Sequence, residues 1–210
     1  MSSSSPPGSM IRSEVWYWDG NVVLQASNTQ FRVHWSVLGQ HSSVFHDMCG
    51  LPQPPDQPSI DGCQIVELAD DPQDVEYLLK ALYIPVFHCQ EKLSLSVIGA
   101  FIRLGRKYDF KYLLDSAVAR VTAYLPSTLE EWDAIQSGEK SGSIDWEDNM
   151  KSATLDLITL ASDSNIFSAL PSAYYVATET WTPVIHPRGP VRRHSKSRWN
   201  TGCFDQPGLA

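Results

Sequence analysis

The sequence lacks any long hydrophobic run, and its four cysteines show no Cys-x-x-Cys spacing. A membrane-spanning helix needs about 18 or more consecutive apolar residues, so we expect no such helix here. Residues 1–8 are rich in serine and proline and contain no apolar segment of the kind that a secretory leader requires. Scattered cysteines are typical of reduced thiols in an intracellular protein, and we therefore expect a cytoplasmic or nuclear location.

Motifs that carry common enzyme chemistry are also missing. The chain contains no Gly-x-Ser-x-Gly elbow, no phosphate-binding glycine loop, no dinucleotide fingerprint and no His-Glu-x-x-His motif. His46 and Cys49 lie three residues apart, and Cys63, His88 and Cys89 could complete a metal site, but the spacing matches no standard zinc frame. We therefore predict no catalytic residue, no cofactor and no metal site. An unrecognised enzyme or metal protein is the less favoured alternative.

Positive charge is scarce over most of the chain. The 210 residues contain 16 Lys and Arg against 24 Asp and Glu, which gives a net charge of −8. An acidic body argues against a nucleic-acid surface. Positive charge is concentrated in residues 179–210, which carry Arg188, Arg192, Arg193, Lys196 and Arg198. We predict a solvated, disordered tail there, and the alternative is contact with nucleic acid or a nuclear-import signal.

The order of apolar patterns along the chain predicts the fold class. Alternating residues predict a strand at Val22–Ala26, a hairpin partner directly after it and a third strand at Ile65–Leu68. Asp71 followed by proline predicts a helix start, and helical spacing predicts further helices at Leu95–Lys107 and after an Asp109 cap. Strands early and helices later indicate an α+β fold, with a small three-stranded sheet covered by a helical cluster.

The stretch from residue 29 to residue 45 combines a strand with two short helices. We expect Ser36 to cap the first helix and Ser42 to cap the second, because serine side chains accept hydrogen bonds from free helix N–H groups. Gly50 then ends the second helix. We expect deep burial along the strand and the later helices, at Phe31, Val33, Leu38, Leu78, Leu82, Phe101 and Leu113.

The residues of this stretch carry a resemblance to a known family. The segment Phe-Arg-Val-His-Trp-Ser-Val-Leu, followed by Ser-Ser-Val-Phe, resembles the signature of the BTB/POZ domain family. The preceding Asp-Gly-Asn-Val-Val-Leu is similar to the first strand of that family. The nearest version is the basidiomycete type, found in many fungal proteins of unassigned role. The resemblance implies a BTB/POZ domain over 14–125 and a helical extension over 126–178. Composition predicts a disordered start over residues 1–13 and the disordered basic tail over 179–210.

The resemblance also implies a function. BTB domains are protein-interaction modules that commonly form homodimers, so a non-enzymatic module that self-associates is expected, with a role as an adaptor or scaffold. Some members hand substrates to cullin-type ubiquitin ligases and others regulate transcription, which leaves a cullin scaffold or transcription factors as alternative partners. In the family, the first strand, the first two helices and a charged pocket bind partners. Carried over, these positions are Trp16, Asn21, Trp35, Val37, Leu38, Val44, Phe45 and Met48.

Two of these positions depart from the family pattern. Many members carry an acidic residue at the position of Asn21 and a basic residue at the position of Trp35, and both charges are absent from this sequence. We therefore expect a dimer with mainly apolar contacts. Val44 and Met48 lie four residues apart and share one helix face, which we expect to meet solvent or a partner, whereas Phe45 turns inward.

Overall fold

The computed structural model describes residues 9–52, 58–137, 144–145 and 150–181. The predictions for residues 1–8 and 182–210 lie outside these ranges. The main sheet contains β1 (Ile11–Trp16), β2 (Val22–Ala26), β3 (Thr29–Val33), β4 (Ser59–Ile60) and β5 (Cys63–Leu68). Its spatial order is β1-β3-β2-β5-β4.

The centre of this sheet is strand β2. It pairs antiparallel with β3, with Val22 opposite Val33, and parallel with β5, with Val22 opposite Gln64. Val22, Val23 and Leu24 have no exposed surface, so both faces of the strand are covered. Such two-sided burial is typical of a strand inside a mixed sheet with helices and loops around it.

The sheet has two edge strands that the sequence prediction of three strands did not contain. β1 pairs in parallel with β3, with Ile11 opposite Thr29 and Arg12 opposite Gln30, and β4 pairs antiparallel with β5. The prediction of disorder through residue 13 is therefore wrong for the start of β1. Ile11 and Arg12 are exposed and Val15 is the buried residue of this strand, so β1 has no alternating pattern to detect.

Helices follow the strands. They are α1 (Trp35–His41), α2 (Ser43–Cys49), α3 (Pro72–Tyr83), α4 (Pro85–His88), α5 (Leu95–Lys107), α6 (Lys111–Tyr124), α7 (Leu129–Gln136), α8 (Met150–Asp163) and α9 (Leu170–Trp181). Between α8 and α9 lies a short 3-10 turn, Phe167–Ala169, and β6 (Leu93–Ser94) pairs in parallel with β7 (Ile144–Asp145). None of the helices in the described ranges combines the length and the apolarity that crossing a bilayer requires.

The core lies between the sheet and the helices, with α5 packed between α3 and α6. Ile98, Phe101 and Ile102 of α5 are at most 1% exposed. Leu157 of α8 and Ala173 of α9 belong to the same core cluster, so these two helices pack onto the body of the protein. Burial of this apolar surface is the main stabilising contribution to the fold. The expected deep burial is confirmed at six of the seven sites.

The exception is Leu82, which is only partly buried and packs at the margin of the core.

The predicted helix start at Asp71 is confirmed. The Asp71 carboxylate accepts the Gln73 N–H at 2.8 Å, and proline occupies the first helical position. The predicted Asp109 cap is wrong. Asp109 has a left-handed φ of 56°, its carboxylate accepts the Ser43 hydroxyl at 2.5 Å, and α6 begins two residues later.

Candidate partner-binding surface

Helices α1 and α2 meet closely at Gly39. A Cβ atom at this position would lie 3.3 Å from Cα of His46, so a larger residue would push the two helices apart. Ser42 fixes the junction between them: its side chain accepts the Phe45 N–H at 3.0 Å and donates to the carbonyl oxygen of Tyr108. The expected Ser42 cap is confirmed. The helix pair is thereby attached to the connection between α5 and α6.

Phe45 and Leu38 face the interior of the protein from these two helices. Both have no exposed surface, and the Phe45 ring lies 4.9 Å from the Tyr108 ring and 5.9 Å from the Phe110 ring, measured between centroids. The inward orientation expected for Phe45 is confirmed. The assignment of Leu38 and Phe45 to partner binding is contradicted, because neither side chain reaches the surface of the folded chain. A short amphipathic helix has one apolar face, and here the core occupies it.

Asn21 and Trp35, the two positions that lack the family charges, are joined by a hydrogen bond. Oδ1 of Asn21 accepts the backbone N–H of Trp35 at 2.8 Å. Asn21, which directly precedes β2, therefore satisfies the first free N–H of α1. The N-cap residue is His34, whose side chain makes no capping hydrogen bond, and the prediction that Ser36 caps this helix is wrong because α1 begins at Trp35. The Trp35 ring is half-buried and lies 6.4 Å from the Phe45 ring.

Four half-buried apolar residues remain on α1 and α2 once the core is formed. Trp35, Val44 and Met48 pack partly against the core cluster, whereas Val37 does not belong to it. We call Trp35, Val37, Val44 and Met48 the α1–α2 surface.

Trp16, the remaining predicted partner-binding residue, lies apart on β1 and is half-buried. The Arg12 guanidinium carbon lies 4.5 Å from the centroid of its ring. This cation–π contact covers part of the Trp16 ring.

A polar cluster that the sequence did not reveal supports the start of α1. The Tyr83 hydroxyl accepts the backbone N–H of His34 at 2.8 Å and lies 3.1 Å from its ring Nδ1. Burial raises the pKa of Tyr83 to about 12, so its hydroxyl stays protonated at neutral pH. On the other side of the His34 ring, Nε2 lies 3.3 Å from Oδ1 of Asp19. Tyr17 stacks on Tyr83 with centroids 4.4 Å apart.

A second surface lies at the far end of α1. A cavity of about 560 Å³ is lined by His41, Ala81, Leu82, Pro85, His88, Phe110, Tyr112 and Leu113. We call it the α3–α6 groove. Its lining is mainly apolar, and the lining residue Tyr112 is 67% exposed. Val86 follows the lining residue Pro85 in α4 and is 74% exposed. The sequence signal for this groove is the Ile-Pro-Val at 84–86, where the helical pattern of α3 ends.

The described residues show no group of three or more His, Cys, Asp or Glu side chains placed to hold a metal ion. The thiol of Cys63 is buried and donates to the carbonyl oxygen of Gly20 at 3.2 Å. Cys49 and Cys89 are exposed free thiols. The cysteines that were considered as metal ligands therefore lie in different environments.

Comparison with protein families gives one match. The model of the BTB/POZ domain matches residues 17–123, which run from the end of β1 to the last turn of α6. Comparison with curated proteins gives no match. The matched residues contain α1, α2 and the α3–α6 groove.

Proposed function

Because this chain belongs to the BTB/POZ domain family and is thus a protein–protein interaction module, we propose that it self-associates as a homodimer and acts as an adaptor or scaffold. BTB domains are generally interaction modules and not enzymes. The observation that carries the proposal is the α1–α2 surface, whose four apolar side chains stay half-exposed even though three of them also pack against the core cluster. We propose a cytoplasmic or nuclear location for this complex.

The surface suits a contact between two identical copies. In an isologous dimer the same patch faces itself, so an apolar patch meets an apolar patch without any need for opposite charges. Asn21 is neutral, and its side-chain oxygen is already bonded to the Trp35 N–H. No ion pair has to lose its hydration at this position, which removes a cost that charged pockets carry. Each Å² of apolar surface buried contributes about 25 cal/mol.

The dimer is expected to depend little on salt. Ionic strength screens charge pairs, with a Debye length of about 10 Å at 0.1 M, but leaves apolar contacts largely unaffected. Sedimentation at low and high ionic strength should give dissociation constants within about threefold of each other. A chain that stays monomeric at tens of micromolar would contradict self-association, and a steep salt dependence would contradict an apolar interface.

A second candidate function rests on the α3–α6 groove. An amphipathic helix of another protein binds a groove of this kind by placing apolar side chains into it. Some family members bind cullin-type ubiquitin ligases, and we propose the amino-terminal helices of such a cullin as the occupant. The exposed Val86 and Tyr112 next to the cavity would contact its apolar side chains.

Val86→Asp tests this second function. A carboxylate at the margin of the groove must be desolvated without a partner, so affinity for a purified cullin amino-terminal domain should fall by about tenfold or more in a binding titration. Leu155→Asp, on α8 and also exposed, is the matched control and should bind as the unchanged protein does. If no cullin binds the unchanged protein, or if both variants bind equally well, the groove does not serve this purpose.

A further inference from the structure

A cleft of about 940 Å³ lies between the start of α3, helix α5 and the second half of α8. Its ionisable lining consists of Asp71, Asp74, Asp145, Asp156 and Asp163 together with Arg103 and Arg106. Carboxylates exceed guanidinium groups by three. The cleft is separate from the α1–α2 surface and from the α3–α6 groove, neither of which shares a lining residue with it.

Among the described residues, the negative charge in the cleft is only partly neutralised. Asp74 forms a two-point ion pair with Arg103, at 2.7 and 2.8 Å. In the part of the chain that the structure describes, Asp145, Asp156 and Asp163 form no ion pair. Asp156 and Asp163 lie seven residues apart on α8, which is about two helical turns, so they lie on the same side of the helix.

Ser164 gives a second and independent indication that the cleft receives a ligand. Its side chain lines the cleft and the residue is only 5% exposed. Its backbone N–H bonds to the carbonyl oxygen of Leu160, but within the described ranges its hydroxyl has no hydrogen-bond partner. Buried hydroxyl groups are nearly always hydrogen-bonded, because leaving them unpaired is unfavourable. A donor or acceptor entering the cleft would satisfy this group.

The carboxyl-terminal part of the same chain has the complementary charge. Residues 182–210 contain four arginines and one lysine against one acidic residue, Asp205. A guanidinium group can bind a carboxylate through two parallel hydrogen bonds and can also donate to a hydroxyl. The chemistry of this tail therefore matches both the aspartates on α8 and the hydroxyl of Ser164.

The tail is also long enough to reach the cleft. It leaves the body at Trp181, at the end of α9, and α9 packs against α8. The seven residues from Trp181 to Arg188 span up to about 24 Å when extended. Helix α8 has 14 residues and is about 21 Å long, so this part of the tail is as long as the helix that lines the cleft.

We propose that the basic segment 188–198 occupies the acidic cleft of its own chain and shields it from basic segments of other proteins. Three properties identify the tail as the occupant of the cleft: its charge, its length and the point at which it leaves the body. Because the tail is attached, its effective concentration at the cleft is in the millimolar range. A weak contact is then sufficient to keep the cleft filled.

Zero-length cross-linking of the full chain tests the proposal. A carbodiimide joins an amine to a carboxylate in direct contact, and Lys196 is the one lysine of the tail. Mass spectrometry should find Lys196 joined to Asp156 or Asp163 at least about tenfold more often than to the exposed Asp47 or Asp115. Mixing light and isotope-labelled chains identifies the copy that each end comes from. Equal yields at all four carboxylates, or links only between different copies, would overturn the proposal.

A pair of neutral substitutions gives an independent measurement. Asp156→Asn with Asp163→Asn removes two exposed carboxylates that have no ion-pair partner among the described residues, so the fold should be preserved. Trypsin cleavage of the tail should then be about fivefold faster, because cleavage follows the population of the undocked tail. Asp47→Asn with Asp115→Asn is the matched control and should leave the rate unchanged. Equal cleavage rates in both double variants would show that the tail does not bind the cleft.

Discussion

Replacing Phe45 by alanine is expected to lower the free energy of unfolding by about 3–5 kcal/mol, the usual cost of removing a fully buried phenylalanine ring. Phe45 has no exposed surface and contacts the rings of Trp35, Tyr108 and Phe110. The ring therefore connects α2 to the junction of α5 and α6, and its loss leaves a cavity that the surrounding helices fill only in part.

Leu155→Ala is the control for this experiment, because Leu155 on α8 is 45% exposed and lies outside both the core cluster and the α1–α2 surface. Its loss should cost less than about 1 kcal/mol, as for most surface substitutions. Urea unfolding at several protein concentrations separates chain stability from dimerisation, since a dimer gains stability with concentration. A small loss of stability together with a weakened dimer would place Phe45 at the interface and not in the core.

Met48→Asp is expected to raise the dissociation constant of the dimer by two to three orders of magnitude. Burying one unpaired carboxylate at an interface costs about 2 kcal/mol, and an isologous dimer contains the substitution twice. About 4 kcal/mol corresponds to a factor of about 1,000 in the dissociation constant. Analytical ultracentrifugation over a concentration series measures this change directly.

The matched control is Val86→Asp, which adds the same charge at an exposed valine in α4. It should leave the dimer intact, because Val86 lies outside the α1–α2 surface. A weaker dimer in Val86→Asp with an unchanged one in Met48→Asp would move the interface to the neighbourhood of the α3–α6 groove. If Met48→Asp unfolds the chain instead, its contacts with the core outweigh its role at the surface.

Elements with strong local signals were predictable from the sequence. Helix α5 has the predicted bounds, Leu95–Lys107, because its apolar residues recur with helical spacing over three turns and Ser94 accepts the Val97 N–H at its start. Helix α3 follows from an aspartate cap with proline next to it. In both cases residues within four positions of each other determine the structure, which is the range that a sequence pattern covers.

Features that depend on distant residues were not predictable. Asn21 accepts the first N–H of α1 across 14 positions, and Tyr83 binds His34 across 49 positions. Strand β1 depends on a parallel neighbour, so its own exposed residues give no signal. The same limitation applies to the candidate surface: the pattern located α1 and α2 correctly, but it assigned Leu38 both to the core and to partner binding, and the tertiary structure places it in the core.

The parallel pairing of β2 with β5 determines when the sheet can be completed during synthesis on the ribosome. Strand β2 pairs with β3 across a two-residue turn, but its other neighbour begins opposite Val22 only at Gln64, which is 42 positions later. Until β5 has left the exit tunnel, a nascent chain therefore presents the apolar β2 with one unpaired edge. Such an edge is a template for wrong pairing, so the interval between residues 33 and 68 is the stage of synthesis at which the sheet is most open to wrong pairing.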